Sequence, residues 1–266
     1  MTTIADVAVI GGSGLYALLD GEPHTVDTPY GRPSDEIVVA EVGGRHVAFL
    51  PRHGADHRFP PHRIPYRANL FALRALGVRQ ILAPCAVGGL RPELGPGTFV
   101  VPDQLIDRTS GRASTYYDDG AVHVNFADPY CPVGRTVAIE TAARHGIGAT
   151  DGGVMVVVNG PRFSTRAESR WYASTGGTII NMTGAPEAVL ARELGLCYTT
   201  IALVTDLDAG VDGDHGVTQE EVFAVFGANI DRLRGLLLDA LPQLPAERSC
   251  PCATALDGLS LPITLP

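Results

Sequence analysis

Lysine is missing from this chain, and all 20 of its permanently basic side chains are arginines. A Schiff-base lysine and the lysine of a phosphate-binding P-loop are therefore both excluded. Any phosphate that this protein binds has to be held by arginine, histidine, hydroxyl groups or backbone N–H groups. The formal net charge is −9 and no block of basic residues occurs, which argues against nucleic-acid binding.

Long hydrophobic runs are absent as well. No apolar stretch approaches the roughly 18 residues that a membrane-spanning helix needs, so we expect no membrane association. Residues 1–6 show no basic region followed by an apolar core, and a cytoplasmic protein is the expectation. The length of 266 residues, 45% of them hydrophobic, suits one large α/β domain as well as two small ones.

Cysteine is scarce and scattered along the chain. The five cysteines are too few and too far apart to predict a disulfide framework or a cysteine-rich zinc site; they are Cys85, Cys131, Cys197, Cys250 and Cys252. Cys250-Pro251-Cys252 is the only close pair. It is either incidental or a strained disulfide, and the sequence leaves both open.

Short apolar runs rich in valine and isoleucine recur and predict strands, several of them buried on both faces. These runs are 7–10, 37–42, 46–50, 80–83, 98–101, 154–158, 178–180 and 198–204. Helical spacing with suitable end signals predicts helices at 66–76, 186–194 and 218–241. Strands that alternate with helices predict a mostly parallel sheet in one α/β domain, residues 1–266.

Three motifs follow predicted strands, where α/β sheets bind their ligands. Gly-Gly-Ser-Gly, containing Ser13, is either an anion-binding loop or a tight turn. Pro-Arg-His-Gly offers Arg52 and His53 as a fork and a titratable donor for phosphate, or it is a charged surface turn. The stretch that begins at Cys85 and Ala86 either turns its N–H groups toward a ligand or is a close-packed strand-to-loop turn. Nothing nearby predicts a low pKa for the Cys85 thiol, so a nucleophilic role is disfavoured.

Three further motifs lie toward the C-terminus. In Gly-Pro-Arg-Phe-Ser-Thr, Phe163 and Ser164 can stack on a base and bond to its edge. In Asn-Met-Thr-Gly-Ala-Pro-Glu, Thr183 lies where a helix N-terminus favours an anion. Asp206 and Asp208 sit two residues apart at a strand end, so they face the same side and can raise one another's pKa. A solvated acidic loop or a divalent metal pair is the plainer interpretation of Asp-Leu-Asp.

Taken in this order, the six motifs resemble the trimeric purine nucleoside phosphorylase family, most closely its 5′-methylthioadenosine phosphorylase branch, from about residue 7 to 241. The resemblance implies a single α/β domain whose twisted mixed β-sheet is partly closed into a barrel and flanked by helices. It also implies a homotrimer, in some members paired into a hexamer. No metal and no organic cofactor are expected, and inorganic phosphate is a co-substrate.

The resemblance also assigns roles to single residues. A phosphate site is implied for Ser13, Arg52, His53, Cys85, Ala86 and Thr183, with Cys85 and Ala86 acting through their backbone. Phe163 and Ser164 are implied to line the base pocket, with Met182 under the ribose. Asp206 and Asp208 are implied to hold the purine, with Asp206 as the acid that protonates N7 while Asp208 binds the amino group. His123 is implied to reach the 5′ region of a neighbouring subunit's site.

The same comparison predicts the substrate. Members that act on 6-oxopurines have asparagine where Asp206 stands and glutamate where Ser164 stands, so a 6-aminopurine is favoured. The predicted reaction is the reversible phosphorolysis of S-methyl-5′-thioadenosine to adenine and 5-methylthioribose 1-phosphate. Gln219 departs from the aliphatic residue usual in that branch and keeps adenosine or another purine nucleoside open. Asn159 also replaces a glutamate common in the family.

Two other classes of function compete with a phosphorylase. A nucleoside hydrolase that uses water is a distant alternative, because the phosphate set would have no purpose in it. A non-catalytic purine-binding module is disfavoured, because a binder needs no acid such as Asp206.

Overall fold

An eleven-stranded mixed sheet forms the centre of the computed structural model, which describes residues 3–213 and 216–266. The strands are β1 (Val7–Gly11), β2 (Glu22–His24), β3 (Ile37–Val42), β4 (Arg45–Pro51), β5 (Gln80–Gly89), β6 (Phe99–Val101), β7 (Gln104–Asp107), β8 (Thr150–Asp151), β9 (Val154–Val157), β10 (Ile179–Asn181) and β11 (Cys197–Leu207). The helices are α1 (Tyr66–Ala75), α2 (Pro132–Arg144), α3 (Arg166–Ser174), α4 (Gly184–Glu193) and α5 (Gln219–Ala240).

The main path of the sheet runs β2-β3-β4-β1-β5-β10-β9-β7, and a branch of β11, β6 and β8 leaves it at β5. The central pairs β4–β1, β1–β5 and β5–β11 are parallel, whereas β3–β4 and β5–β10 are antiparallel. The predicted mixed α/β sheet flanked by helices is confirmed. Within the described ranges no series of pairings returns to its starting strand, so the sheet is not a strictly closed barrel.

Strand β1 shows how the sheet is covered on both faces, since all five of its residues are buried. Ala8 and Ile10 pack into a core with α1 and α4, while Val7 and Val9 pack into a second core with α2 and α5. Because neighbouring strand residues point to opposite faces, this two-sided burial explains the continuous apolar run in the sequence.

Strand β5 has one edge that is only partly paired. Strand β11 follows its whole length on one edge. On the opposite edge, β1 pairs with Gln80–Leu82 and β10 pairs with Gly88 and Gly89. Among the described residues no strand pairs with the intervening part of that edge. The sheet therefore splays apart beside residues 83–87, which is where α/β folds place ligands.

Most predicted elements are confirmed within one or two residues. The motif at Cys85 is the exception, because the strand predicted to end near residue 83 continues to Gly89. The prediction of a strand-to-loop turn there is therefore wrong: parallel pairing with β11 keeps this small-residue stretch extended. Helices α2 and α3 were not predicted. Helix α2 buries only Gly134, Ala138, Thr141 and Ala142, and such small residues leave no strong apolar stripe in the sequence.

The expectation that the cysteines are scattered is wrong for four of the five. The sulfur atoms of Cys131, Cys197, Cys250 and Cys252 all lie within 4.8 Å of one another, and all four residues are buried. Sequence separation concealed this cluster because it joins three distant segments of the chain. As for membranes, none of the helices built from the described residues is both long enough and apolar enough to cross one.

Candidate active site

A cavity of about 280 Å³ opens beside the unpaired edge of β5. Its volume suits a small molecule and lies near the lower end of the roughly 300–1,000 Å³ typical of ligand sites. Twelve of the thirteen predicted site residues line it. They are Ser13, Arg52, His53, Cys85, Ala86, Phe163, Ser164, Met182, Thr183, Asp206, Asp208 and Gln219.

Arg52 occupies the inner end of this cavity. Its side chain is only 1% exposed and forms a two-point ion pair with the fully buried Glu187, with Nε–Oε2 and Nη2–Oε1 distances of 2.7 and 2.8 Å. Burial lowers the pKa of Arg52, but the charge and hydrogen bonds of Glu187 outweigh burial and raise it. The guanidinium thus stays charged. Tyr198 donates to Glu187 at 2.6 Å and fixes the acceptor as well.

The remaining guanidinium nitrogen of Arg52, Nη1, lies at the part of β5 that no described strand pairs on that side. It donates to the carbonyl oxygen of Pro84 at 3.3 Å. A Cβ atom at Gly12 would lie 3.0 Å from both Nη1 and the Pro84 oxygen. A side chain at Gly12 would crowd the guanidinium and the Pro84 carbonyl, so the position next to Ser13 favours glycine. An anion entering here meets a charge already held in place.

His53 is buried beside Arg52 and is held through one ring nitrogen. Its Nδ1 lies 2.8 Å from the carbonyl oxygen of Phe59, and since a carbonyl can only accept, Nδ1 carries the proton. Burial lowers the pKa of His53 to about 4, and the charge of Arg52 acts in the same direction. The ring is neutral at pH 7, which leaves Nε2 able to accept a hydrogen bond.

His57 extends the histidine surface toward the mouth of the cavity. Its ring stacks on His53 with centroids 4.8 Å apart, and Tyr16 lies 2.8 Å from its Nδ1. Burial lowers the pKa of His57 as well. The ring also meets Phe223 edge-on at 6.2 Å. His57 therefore connects His53, beside Arg52, with Phe223 at the outer rim of the cavity.

Three hydroxyl groups face the cavity without partners. The side chains of Ser13, Ser164 and Thr183 make no hydrogen bond to any other residue of the described chain, so they are free to bond a ligand. Thr183 precedes α4, but Ala185 is extended (φ −117°, ψ 137°) and separates it from the regular helix. The helix N-terminus is thus displaced from Thr183, and the hydroxyl itself is what this position offers an anion.

Cys85 lies between these groups as a buried thiol. Burial raises its pKa to about 11, and Asn181 Nδ2 donates to its sulfur at 3.5 Å. A thiol with this pKa stays protonated at neutral pH and is a poor nucleophile. A chemical role for Cys85 therefore falls to its backbone, which lies on the unpaired edge of β5.

Asp206 and Asp208 form the opposite end of the cavity, at the end of β11. The register of β11 against β5 shifts between Val204 and Asp206, and this bulge places Asp206 opposite Gly88. Bulges re-aim side chains at strand ends. A Cβ atom at Gly88 would lie 3.0 Å from Asp206 Oδ1 and 3.3 Å from Asp208 Cβ. The absence of a side chain at Gly88 leaves room for both aspartate side chains beside β5.

The two aspartates differ in environment. Burial raises the pKa of Asp206 to about 6, the charge of Asp208 adds to the rise, and a 2.8 Å hydrogen bond from Thr205 opposes it. Asp208 is 3% exposed and accepts a 2.6 Å hydrogen bond from Ser169 of α3. Asp206 therefore exchanges a proton near neutral pH, whereas Asp208 is fixed in position. The sequence predicted a raised pKa from repulsion between the two aspartates. In the structure, burial raises the pKa of Asp206 more than the charge of Asp208 does.

Phe163 and Met182 are positioned by the loop that follows β9. Gly160 in this loop has φ +60°, and a Cβ atom there would lie 2.2 Å from Met182 Sδ. Only glycine allows this close approach. Arg112 joins the two segments by donating to the carbonyl oxygens of Met182 at 2.9 Å and Asn159 at 2.8 Å.

Asn159 itself lies outside the cavity. Its side-chain amide exchanges hydrogen bonds with Ser110, donating to the Ser110 carbonyl oxygen at 3.1 Å and accepting from the Ser110 N–H at 3.1 Å. Asn159 thus fixes the loop that contains Ser110.

The outer rim is formed by the first turn of α5. Gln219 is exposed, and its side-chain amide makes no hydrogen bond to another described residue. Val222 and Phe223 line the cavity beside it, and Phe223 is 37% exposed. The turn is fixed by a capping box between Thr218 and Glu221. This rim mixes one polar group with apolar surface.

His123 is the predicted site residue that does not line the cavity. It is exposed in the segment between β7 and α2 of the same chain. The prediction places it in a neighbouring subunit's site, and it stays a prediction.

Sequence reasoning missed Glu187, Ser169 and Arg112 as groups that position the site. Glu187 stands at the end of the Asn-Met-Thr-Gly-Ala-Pro-Glu motif, but its ion pair joins residues 135 positions apart, so no local sequence signal reveals it. The capping box of Thr165 and Glu168 would have revealed α3, and with it Ser169. No sequence signal identifies Arg112, because its partners are mostly backbone carbonyls.

A family model described as the phosphorylase superfamily matches residues 6–242, which include every residue that lines the cavity. The chain belongs to this superfamily. A purine nucleoside phosphorylase of Streptomyces coelicolor is 59% identical and aligns over 98% of each chain. An S-methyl-5′-thioadenosine phosphorylase of Mycolicibacterium smegmatis is 57% identical over 98% of this chain and 99% of that relative.

The fold is shared with solved members of the superfamily. The crystal structure of a methylthioadenosine phosphorylase from an Antarctic soil metagenomic library matches with a TM-score of 0.89 at 43% identity. The match covers 96% of this chain and 92% of the other. The predicted resemblance to nucleoside phosphorylases is confirmed.

Proposed function

We propose that this enzyme catalyses the reversible phosphorolysis of S-methyl-5′-thioadenosine to adenine and 5-methylthioribose 1-phosphate. One observation carries the proposal: a single cavity has a fixed arginine charge at its inner end and a carboxyl group with a pKa of about 6 at its other end. The first group suits an anionic nucleophile, and the second suits a leaving group that needs a proton.

Bond breaking in this reaction requires a proton at the base. An adenine anion leaves poorly, so protonation of N7 must accompany the breaking of the C1′–N9 bond, whose electron pair goes to the base. Asp206 supplies this proton in its neutral form. The ribosyl carbon becomes oxocarbenium-like, and a phosphate oxygen then bonds to C1′ from the opposite face.

The phosphate is held without lysine. Arg52 supplies the charge, Ser13 and Thr183 supply hydroxyl donors, and neutral His53 accepts from a P–OH group. The backbone at Cys85 and Ala86 completes the predicted set. These groups also stabilise the positive charge that develops on the sugar, because they hold the anion next to C1′.

The aspartate pair favours a 6-aminopurine. Protonated Asp206 donates to N7, and the carboxylate of Asp208 accepts from the N6 amino group. In a 6-oxopurine the carbonyl oxygen would face Asp208, so two acceptors would meet in a buried place. Ser164 carries no charge that would alter this preference.

The 5′ group is selected at the rim. Val222 and Phe223 offer apolar surface to a methylthio group, as the proposal requires. The Gln219 amide has no partner among the described residues and can bond a 5′-hydroxyl instead, which makes adenosine phosphorolysis the second candidate. The proposal also includes a homotrimer in which a neighbour's His123 closes this open rim.

Phosphate dependence tests the proposed reaction. Purified enzyme in phosphate-free buffer should leave methylthioadenosine intact, and added phosphate should release adenine together with an equal amount of the sugar 1-phosphate. Adenine release at the same rate without phosphate would show a hydrolase and overturn the proposal.

A further inference from the structure

Four buried cysteines meet at a point away from the cavity. Cys131 is the N-cap residue of α2, and Cys197 is the first residue of β11. Cys250 and Cys252 belong to the segment that follows α5. No residue of this cluster lines the cavity, whose only cysteine is Cys85. The cluster therefore joins three distant parts of the chain without any part in the proposed reaction.

The spacing of the sulfurs suits a single ion at their centre. All four lie within 4.8 Å of one another, and Cys197 and Cys250 approach to 3.3 Å. A tetrahedral zinc ion with Zn–S bonds of about 2.3 Å holds its sulfurs roughly 3.8 Å apart. A disulfide needs about 2.05 Å, and two disulfides would give two close pairs rather than one compact group. All five cysteines of the chain are unbonded.

Two arginines and one backbone N–H lie beside three of the four sulfurs. Arg248 Nη1 lies 3.9 Å from Cys197, Arg192 Nη2 lies 4.0 Å from Cys252, and the Gly134 N–H donates to Cys131 at 3.5 Å. Four thiolates around one divalent cation carry a net charge of −2, and the two arginines balance it. Cys131 also lies at the N-terminus of α2, where negative charge is stabilised. Neutral thiols or disulfide sulfurs would gain little from these donors.

We propose that Cys131, Cys197, Cys250 and Cys252 form a structural Zn²⁺ site. Four protein sulfurs fill a tetrahedral shell and leave no open position, which is the pattern of structural rather than catalytic zinc. Binding releases the thiol protons to solvent and leaves the oxidation states unchanged. The ion fastens residues 250–252 to the starts of α2 and β11. The tail that follows packs Leu261 and Ile263 against the core beside α1 and α4.

Metal content of the full-length protein tests the site directly. The enzyme is expressed with zinc in the medium, purified without chelator or affinity metal, and analysed by elemental mass spectrometry. We expect one zinc ion per chain. A C250S/C252S double variant should retain less than a tenth of that metal. A C85S variant is the matched control, because Cys85 is buried but lies outside the cluster, and its zinc content should stay at one.

Thiol counting separates the site from its competitors, even if the double variant fails to fold. Wild-type protein is denatured with chelator and without reductant, and its reactive thiols are titrated. The zinc site predicts five thiols and one released zinc ion. One or three thiols without zinc would show disulfides and overturn the proposal. Five thiols without zinc, also after reduced protein is incubated with Zn²⁺ or Co²⁺ and dialysed, would overturn it equally.

Discussion

The buried part of the cavity and its exposed rim are built differently. In the buried part, Glu187 holds Arg52, a backbone carbonyl holds the neutral His53, and Ser169 holds Asp208. At the rim, Gln219 and Phe223 are exposed, and the Gln219 amide has no partner in the described chain. The difference teaches that the groups proposed to bind phosphate and base are fixed by internal hydrogen bonds. The proposed 5′ region, in contrast, is an exposed surface.

Removing the acid should have the largest effect. The amide in Asp206→Asn can donate a hydrogen bond but is far too weak an acid to protonate N7, so we expect kcat for methylthioadenosine to fall about 10²–10⁴-fold. Initial-rate kinetics at saturating phosphate measure this. Asp212→Asn, at an exposed position in the loop that follows β11, is the control and should keep its rate. Full activity of the Asp206 variant would refute the assignment of the acid.

Breaking the ion pair between Arg52 and Glu187 should mainly lower the free energy of unfolding. Glu187→Gln leaves a buried guanidinium without its compensating charge, and such losses typically amount to about 3–5 kcal/mol. Chemical denaturation measures the change in the free energy of unfolding, with Glu140→Gln on the exposed face of α2 as control. Phosphate should raise Tm more in the variant than in wild type, because the anion replaces the lost charge. An equal phosphate effect would show that the anion does not reach Arg52.

Releasing Asp208 should weaken base recognition. Ser169→Ala removes a hydrogen bond to a buried carboxylate, worth about 1.5–3 kcal/mol, so kcat/KM should fall roughly 10–100-fold. Ser174→Ala, at the exposed end of the same helix, is the matched control. If both variants behave alike, Asp208 is not held by Ser169 during the reaction.

The pH profile should report the protonation state of Asp206. Because burial raises its pKa to about 6, the neutral acid is present below that pH and is lost as pH rises through it. We expect kcat/KM for methylthioadenosine to decline above pH about 6, approaching tenfold per pH unit. The residual activity of Asp206→Asn should lack this decline and retain only the effect of phosphate ionisation. A profile shared by both enzymes would assign the titration to phosphate.

Changing the rim should have the smallest effect, and on substrate choice only. Gln219→Leu removes a polar group facing the 5′ substituent, so the kcat/KM ratio of methylthioadenosine to adenosine should rise about tenfold. Rates on the two substrates under equal phosphate measure the ratio. Glu220→Gln, the next residue on the helix, serves as control. An unchanged ratio would remove Gln219 from 5′ recognition.

The sequence predicts some parts of the molecule better than others. Strand β1 was predicted closely because its apolar run reflects burial on both faces. The motifs at strand ends converge as expected, since the carboxyl ends of neighbouring strands meet at one place. Local sequence made Arg52, Asp206 and Asp208 candidates beside plainer interpretations, and the resemblance to nucleoside phosphorylases supplied their expected roles.

What the sequence did not reveal depends on contacts between distant segments. Glu187 compensates Arg52 across 135 positions of sequence, and Ser169 reaches Asp208 across 39. The extension of β5 through Cys85 follows from pairing with β11, whereas local small residues indicate a turn. The four-cysteine cluster combines three segments for the same reason. Periodicity and motifs describe one segment at a time and contain no such information.

Base selectivity tests the central claim most directly, because that claim assigns the choice of base to the Asp206 and Asp208 pair in the buried part of the cavity. The values of kcat/KM for methylthioadenosine, adenosine and inosine should be measured at one saturating phosphate concentration. We predict that both 6-amino substrates react and that inosine reacts at least about 100-fold more slowly, since its O6 would face the Asp208 carboxylate. Inosine turned over as well as or better than the 6-amino substrates would contradict the account.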